Sequence, residues 1–466
     1  MERSVPTNAA TDGHQAPGEP GRSGQPGHAG GRSSRAGSLL FHRDFRLLWA
    51  GDTVSQLGTM VTMLALPLLA VRTLHASPFQ VGLLTTFEYL AFLVIGLPAG
   101  AWVDRMRRRT VLIVCDVARA VGLGSLPVAA VLDMLTMTQV LLVALINGVF
   151  TVFFDVSYQS YLPSLVGRNS LVEGNAKLQG TQSVSQVAGP SLGGFLVQLL
   201  TAPYALLVDS ISYLWSAACV AAIRKREPRP ERPADAHLGR EIREGLAFLL
   251  GHRLLRAIAT CTGLFNLFGA GFGPILIVLL ARDLNLAAGT IGLLLSAGAV
   301  GGLVGALLAG RFAGWVGQGP AIWLSAALTA PFGLVAPFLH RDWTLGLFVA
   351  AEFVMYIGIV IYNVTQVSFR QALCPERLLG RMNATMRFLV YGTMPLGGLL
   401  GGALASTIGV RATLLVTVLG TMSAFLPVFF SPLRTLRELP TLDEDRSTGL
   451  GPQAVQPAGT GRDITD

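Results

Sequence analysis

The residues in this 466-residue chain best placed to do chemistry are acids buried in apolar sequence. Glu88 lies nine residues inside a run that begins at Phe79. At 1.5 Å per residue that is about 14 Å deep, with Phe87, Tyr89 and Leu90 around it and no basic residue within a turn. An unpaired carboxylate is expensive in hydrocarbon, so the neutral acid is favoured there, and an acid that gains and loses a proton is what a proton-coupled step needs. The other reading is that Glu88 stays protonated and hydrogen-bonds a backbone carbonyl. Glu352, about 12 Å inside its own run, has the same two readings. Asp52, Asp116 and Asp155 each sit about six residues, or 9 Å, from the same end of their segments, so three carboxylates share one level. Asp116 precedes Arg119 by three residues, a spacing that pairs them on one helical face and reads as a structural charge network. Asp52 and Asp155 fit a network or a proton path equally well. Asp209 is expected to be wetted near a segment end. Arg387 is a deep cation that balances either a carboxylate or an anionic substrate.

These groups can be held in hydrocarbon only by helices whose backbone is satisfied internally. Apolar residues make up 51% of the chain and charged residues 13%, against about 25% charged in soluble domains. Twelve apolar segments are long enough for about 20 helical residues each: 46–72, 79–102, 110–132, 138–161, 171–200, 204–223, 254–281, 287–310, 320–339, 344–369, 379–407 and 411–431. The expected fold class is therefore an all-α membrane protein with twelve transmembrane helices in two six-helix bundles. Its expected divisions are a disordered tail (1–40), a first bundle (41–223), a linker (224–253), a second bundle (254–433) and a second tail (434–466). The first tail has no apolar core before a small-residue cleavage site and is not a signal peptide. In the linker, Pro228, Pro230 and Pro233 precede a stretch with apolar Ile242, Leu246 and Leu249, the pattern of an amphipathic surface helix.

Loop charge gives the orientation. Arg105 to Arg109, Arg168, the 224–253 stretch, Arg311, Arg370, Arg377 and Arg381 fall on one side, while the other loops are short and nearly bare. The Arg-rich side is expected to be cytoplasmic, with both termini. The net charge of +8 is explained by this asymmetry, so nucleic acid is not an expected partner. The four scattered cysteines form neither a zinc pattern nor a disulfide framework. No phosphate-binding Gly-rich loop ending in Lys-Ser/Thr occurs, which disfavours direct ATP use. The chain is read as a non-enzyme with no metal and no cofactor.

The chain also repeats itself. Offset by 208 residues, Phe154-Asp155-Val156-Ser157 falls on Tyr362-Asn363-Val364-Thr365 and Asn175-Ala176 on Asn383-Ala384. Offset by 210, Gln56 meets Asn266, Arg72 meets Arg282 and Gly82 meets Gly292. Parallel repeats of this kind place a substrate site near the midplane between the halves.

Three motifs carry a family resemblance. Gly100-Ala-Trp-Val-Asp104-Arg105-Met-Arg107-Arg108-Arg109 resembles the Gly-x-x-x-Asp-Arg-x-x-Arg-Arg loop between helices 2 and 3 of the major facilitator superfamily. Gly189-Pro190-Ser191-Leu192-Gly193-Gly194 resembles the Gly-Pro-x-x-Gly-Gly motif of its drug/proton antiporters, although Ser185 stands where a glycine is frequent. Phe45-Arg46-Leu-Leu-Trp49-Ala-Gly51 resembles the opening of bacterial efflux members that include macrolide and siderophore exporters. The resemblance covers roughly residues 41–433. It implies a bacterial inner-membrane transporter, monomeric, exchanging protons for a hydrophobic small molecule across the lipid bilayer. It also implies that Asp104 meets the start of the eleventh segment and steadies the outward-open state. In the second half Gly314 and Trp315 replace the Asp-Arg pair. The first, fourth, seventh and tenth segments would line the cavity, offering Gln56, Met60, Asn147, Phe150, Phe154, Phe265, Asn266, Phe268, Tyr356, Tyr362 and Asn363. Aromatic walls with a few amides suit a bulky apolar ligand, cationic or neutral. Proton-coupled uptake, or a non-transporting sensor or scaffold, would be the competing functions.

Overall fold

A computed structural model of the chain describes residues 39–103, 105–167, 170–225 and 238–437. The order is α1 (Arg43–Leu68), α2 (Pro78–Val103), α3 (Arg108–Val131), α4 (Met137–Val166), α5 (Leu171–Leu200), α6 (Ala202–Ala221), α7 (Leu238–Gly251), α8 (Arg253–Val278), α9 (Ala288–Val316), α10 (Gln318–Thr329), α11 (Thr344–Leu373), α12 (Glu376–Gly392), α13 (Met394–Thr407) and α14 (Val410–Ser423). Among the described residues, 11 helical spans are long and apolar enough to cross a membrane. The exception among the expected spans is α5. It is 30 residues long, but Asn175, Lys177, Gln179, Gln182 and Gln186 lower its hydropathy. The chain is thus an all-α, multi-spanning membrane protein.

Local chemistry explains where the helices bend and stop. The ninth apolar segment changes to tighter 3₁₀ winding over Ala330–Phe338, where Pro331 and Pro337 remove backbone donors. The eleventh is divided at Thr393 into α12 and α13, with Pro395 in the first turn of α13. Thr344, the first residue of α11, donates its N–H (2.9 Å) and hydroxyl (2.7 Å) to Asp342. Those bonds hold the Asp342 carboxyl below the usual carboxylate range. Arg311 and Arg370, expected in loops, lie instead within α9 and α11, because each helix runs past the apolar stretch that defined it; Arg381 lies within α12, which begins at Glu376. At the edges of the expected tails, Leu39–Phe41 forms a helical turn whose Leu39 N–H donates to Glu173 on α5 (3.0 Å). The carbonyls of Leu436 and Arg437 accept from Gly319 and Gln318 on α10. Residues 1–38 and 438–466 are outside the described residues. The expected surface helix is α7; it lies against α12, where Glu244 pairs with Arg381.

The repeat read from the sequence is visible in the backbone. α1 and α8 both end in a widened, π-type turn, Leu69–Thr73 and Leu279–Asp283. His75 and Asn285 then take left-handed backbone angles (φ 51° and 45°), and Thr201 and Gly409, also equivalent, do the same (φ 70° and 87°). Within each half of the chain the packing matches: α1 lies on α5 and α6, α3 on α6 and α4, and α2 on α4; α8 lies on α13 and α14, and α9 on α11.

Candidate functional site

The halves of the chain before residue 226 and after 237 meet along two seams, α2 with α13 and α5 with α9. At their glycines both seams bring backbone against backbone. A Cβ on Gly82 would stand 2.7 Å from Cα of Gly402, and one on Gly194 would stand 3.0 Å from Cα of Gly292. Gly82, Gly194, Gly292 and Gly402 all lie toward the Arg-poor end. There Arg72 donates to the carbonyl of Leu286 and Arg282 to that of Ala76, so each half holds the other's turn. Toward the Arg-rich end the same helices face open space: nothing lies within 4 Å of a Cβ built on Gly96 or Gly100 of α2, Gly180 of α5, or Gly310 or Gly314 of α9. The two seams are closed at one end and separated at the other, with α12 still touching α2 and α4 in between.

The acids flagged in the sequence are buried or half-buried within their own halves, apart from Asp155, which bridges the two. Asp116 and Arg119 form an ion pair on α3, 0% and 5% exposed. The guanidinium lies between the rings of Phe154 on α4 and Tyr213 on α6, at 4.3 and 4.2 Å from their centroids. A desolvated charge pair needs such added partners to offset the loss of water. Asp52 on α1 lies beside Gln56 and Tyr158 and interacts with Asp116 and Asp155. Asp155 on α4 accepts from Arg387 on α12 at 3.1 Å, a contact between the halves, with both side chains about one-third exposed. Glu88 on α2 is half-buried, and no hydrogen bond or ion pair to it exists among the described residues. Beside it, Tyr89 stacks on Tyr391 of α12 at 6.4 Å, and Phe92 joins them at 5.0 Å. Glu352 on α11 is buried, with its carboxylate and the Tyr356 ring against Gly298 of α9.

Gln56, Asn147 and Phe150 are half-buried on α1 and α4, and Asn147 Oδ1 has no partner among the described residues. Asn266 donates to the carbonyl of Thr262 in its own helix at 2.9 Å. Asn363 is exposed, and so is Tyr356, where it covers α9. Tyr362 does not line a cavity. It is buried, its hydroxyl is 2.6 Å from that of Thr262, and its ring packs on Phe265 at 5.4 Å. Asp209 is not wetted either. It is fully buried, accepting from Thr62 and from Ser212 (2.8 Å), because α6 turns that face onto α1. The Tyr89, Phe92 and Tyr391 cluster was missed in the sequence; the signal available was two aromatic residues at i, i+3 following a buried acid.

In the Gly-Pro motif, Gly189 admits Met60 and Gly193 admits the backbone of Val61, both on α1, while Gly194 meets α9. The motif therefore seats one helix between its own half and the other. Ser185 is 1% exposed, with its hydroxyl unpartnered among the described residues. Of the charged loop, Gly100 faces open space and Arg105 is exposed. Arg109 donates to the carbonyls of Val220 (3.1 Å) and Ala221 at the end of α6, where a cation is favoured. Arg108 begins α3, and Asp104 lies outside the described residues. No cluster of three metal-binding side chains occurs among the described residues.

Known proteins share this organisation. Residues 36–455 match the family model described as transmembrane secretion effector. The chain is 27% identical over 418 residues to the multidrug efflux pump Tap of Mycolicibacterium fortuitum, covering 85% of this chain and 97% of Tap. It is 26% identical over 384 residues to the enterobactin exporter EntS of Citrobacter koseri, covering 80% and 87%. The crystal structure of a bacterial homologue of the iron transporter ferroportin, in its inward-facing state, superposes with a TM-score of 0.68 at 16% identity, over 84% of this chain and 98% of the other; that likeness concerns the fold. A match over nearly the whole helical region, with helices packed as described, assigns the chain to the transmembrane secretion effector family of the major facilitator superfamily: it is a membrane transporter and not an enzyme.

Proposed function

We propose that this protein exports a hydrophobic small molecule across the bacterial inner membrane in exchange for protons, by alternating access. In this reading twelve helices span the bilayer as two six-helix bundles. The twelfth is α5, whose polar residues face water between the bundles. The Arg-rich end and both termini are cytoplasmic, so the separation described above opens inward. The observation that carries the reading is the half-buried Glu88, without a partner among the described residues and next to the Tyr89–Tyr391 contact across the halves, with the seams packed at one end and apart at the other. A carboxyl group there can exchange a proton with whichever side the separation faces, while the ligand occupies the same space. Glu352, Asp52 and Asp155 form the remaining acidic set. The ligand surface includes Gln56, Asn147, Phe150, Phe265, Asn266, Tyr356 and Asn363. Asp104, with Gly100, Arg105, Arg108 and Arg109, forms the inner gate. The relatives named for multidrug efflux and enterobactin export support the outward direction.

The test is accumulation of a panel of hydrophobic drugs in a bacterial host with and without the protein, repeated with a protonophore. Export lowers accumulation, and the protonophore restores it. Raised accumulation would assign uptake, and unchanged accumulation across the panel would remove the transport assignment for that chemistry.

A further inference from the structure

The polar face of α5 has no structural use in the helix packing. Gly189 and Gly193 turn one side of α5 to α1, and Ser191 and Gly194 turn the opposite side to α9, where the Ser191 and Ser296 hydroxyls are 2.6 Å apart. Two faces remain. One presents Val184, Leu192, Phe195 and Leu199, all exposed and apolar, the composition of a lipid-facing surface. The other presents Asn175, Gln179, Gln182 and Gln186 at spacings of four, three and four. At 100° per residue these four fall within a 60° arc, about 16 Å along the axis. Asn175, Gln179 and Gln186 are exposed and Gln182 half-buried. None of the four side-chain amides has a hydrogen-bond partner among the described residues. Four unsatisfied amides in hydrocarbon are disfavoured, so this face belongs to the water-filled separation between the halves.

Across the repeat, the 208-residue offset places Asn175 on Asn383 and Gln179 on Arg387. The equivalent helix α12 thus offers a charge, which Asp155 already neutralises at 3.1 Å, whereas α5 offers only neutral groups that both donate and accept. Resting on the transport reading above, we propose that Asn175, Gln179, Gln182 and Gln186 form a ligand-binding wall for the neutral oxygens of a polyoxygenated molecule. Hydroxyl, ester and ketone groups spaced along about 16 Å are the chemistry these amides recognise. An apolar cation without hydrogen-bonding groups would gain nothing from them.

The experiment measures equilibrium binding to the full chain in nanodiscs, using two radiolabelled probes. One is erythronolide B, a neutral polyhydroxylated macrolactone, and the other is tetraphenylphosphonium. Gln179→Leu and Gln182→Leu keep side-chain volume and remove hydrogen bonding. Each should weaken erythronolide B binding about 3- to 10-fold, the range for one lost hydrogen bond, with tetraphenylphosphonium binding unchanged within twofold. Gln182→His, which can still donate and accept, should retain most of the affinity, and Val184→Ala on the opposite face should change neither probe. Equal loss for both probes, no change in either, or no erythronolide B binding by the wild type overturns the assignment. Flux of bound probe through proteoliposomes is scored separately. Binding that depends on the amides, without flux, retains the wall and refutes the transport reading.

Discussion

The two arginines at the Arg-poor end permit a quantitative test of alternation. Arg72 is half-buried and Arg282 exposed, and each donates to a carbonyl of the other half's turn. A hydrogen bond from a charged donor contributes about 1.5–3 kcal/mol when partly buried, and an exposed one is discounted to about 0.5–1 kcal/mol. Losing both should therefore remove about 2–4 kcal/mol from the state closed at this end, a shift of roughly thirtyfold to several hundredfold in a two-state population. Methionine is the substitution to use, since it keeps an unbranched apolar stem while deleting the charge. Spin labels at Met134 and Ile408, exposed positions at this end in opposite halves, report the gap. The native cysteines are buried, so the labels can be placed selectively. In Arg72→Met/Arg282→Met a longer-distance population should appear, with each single variant intermediate. Arg411→Met is the control, because among the described residues Arg411 bonds Pro337 and Leu339 of its own half (2.6 and 2.7 Å) and nothing across the halves. An unchanged distance distribution in the double variant would refute the clasp.

Three further outcomes follow from the same geometry. Glu88→Gln should abolish transport driven by a pH gradient while leaving ligand binding nearly intact; wild-type pH dependence in that variant would move the proton to Glu352 or Asp52. Gly189→Val should lower transport at least tenfold at normal expression, since its side chain would occupy the space of Met60, whereas Ser185→Ala should be nearly neutral; a fully active Gly189→Val protein would make the motif incidental. Asp104→Asn should insert normally but favour the inward-open state by several-fold, the worth of one carboxylate at a helix N-terminus, about 0.3–1 kcal/mol; unaltered spin-label distances across the Arg-rich end would remove it from the gate.

Helix positions were legible because each needs only a local property, about 20 apolar residues bounded by charge or proline. Each of the twelve expected segments starts within three residues of a helix start, although the ninth, eleventh and twelfth are broken along their length, and α7 was readable from its apolar spacing. Helix facing was less legible. Tyr362 and Phe265 lie on segments expected to line the cavity, yet one ring covers the other and only a tertiary contact decides which is inside. Asp209 looked wetted from its place near a helix end, but Thr62 and Ser212 surround it. The Asp155–Arg387 pair spans 232 positions, a separation no periodicity reports. The amides of α5 escape a search for apolar runs for a different reason: they interrupt one, and their polarity is the information.

The glycine seams bear on how freely the protein can cycle. Closing a gate built of long side chains freezes their rotamers, at about 0.5–1.5 kcal/mol for each one immobilised. Gly82, Gly194, Gly292 and Gly402 have no rotamers to freeze. Where main chain meets main chain at these glycines, contact forms without a side-chain entropy penalty and reopens without repacking. The seams bring close contact without depth of attachment, and the strength of closure is left to a few separable polar groups at the rim. Evolution can then adjust how long the protein dwells in each state by changing those groups singly, without disturbing the surfaces that slide against each other.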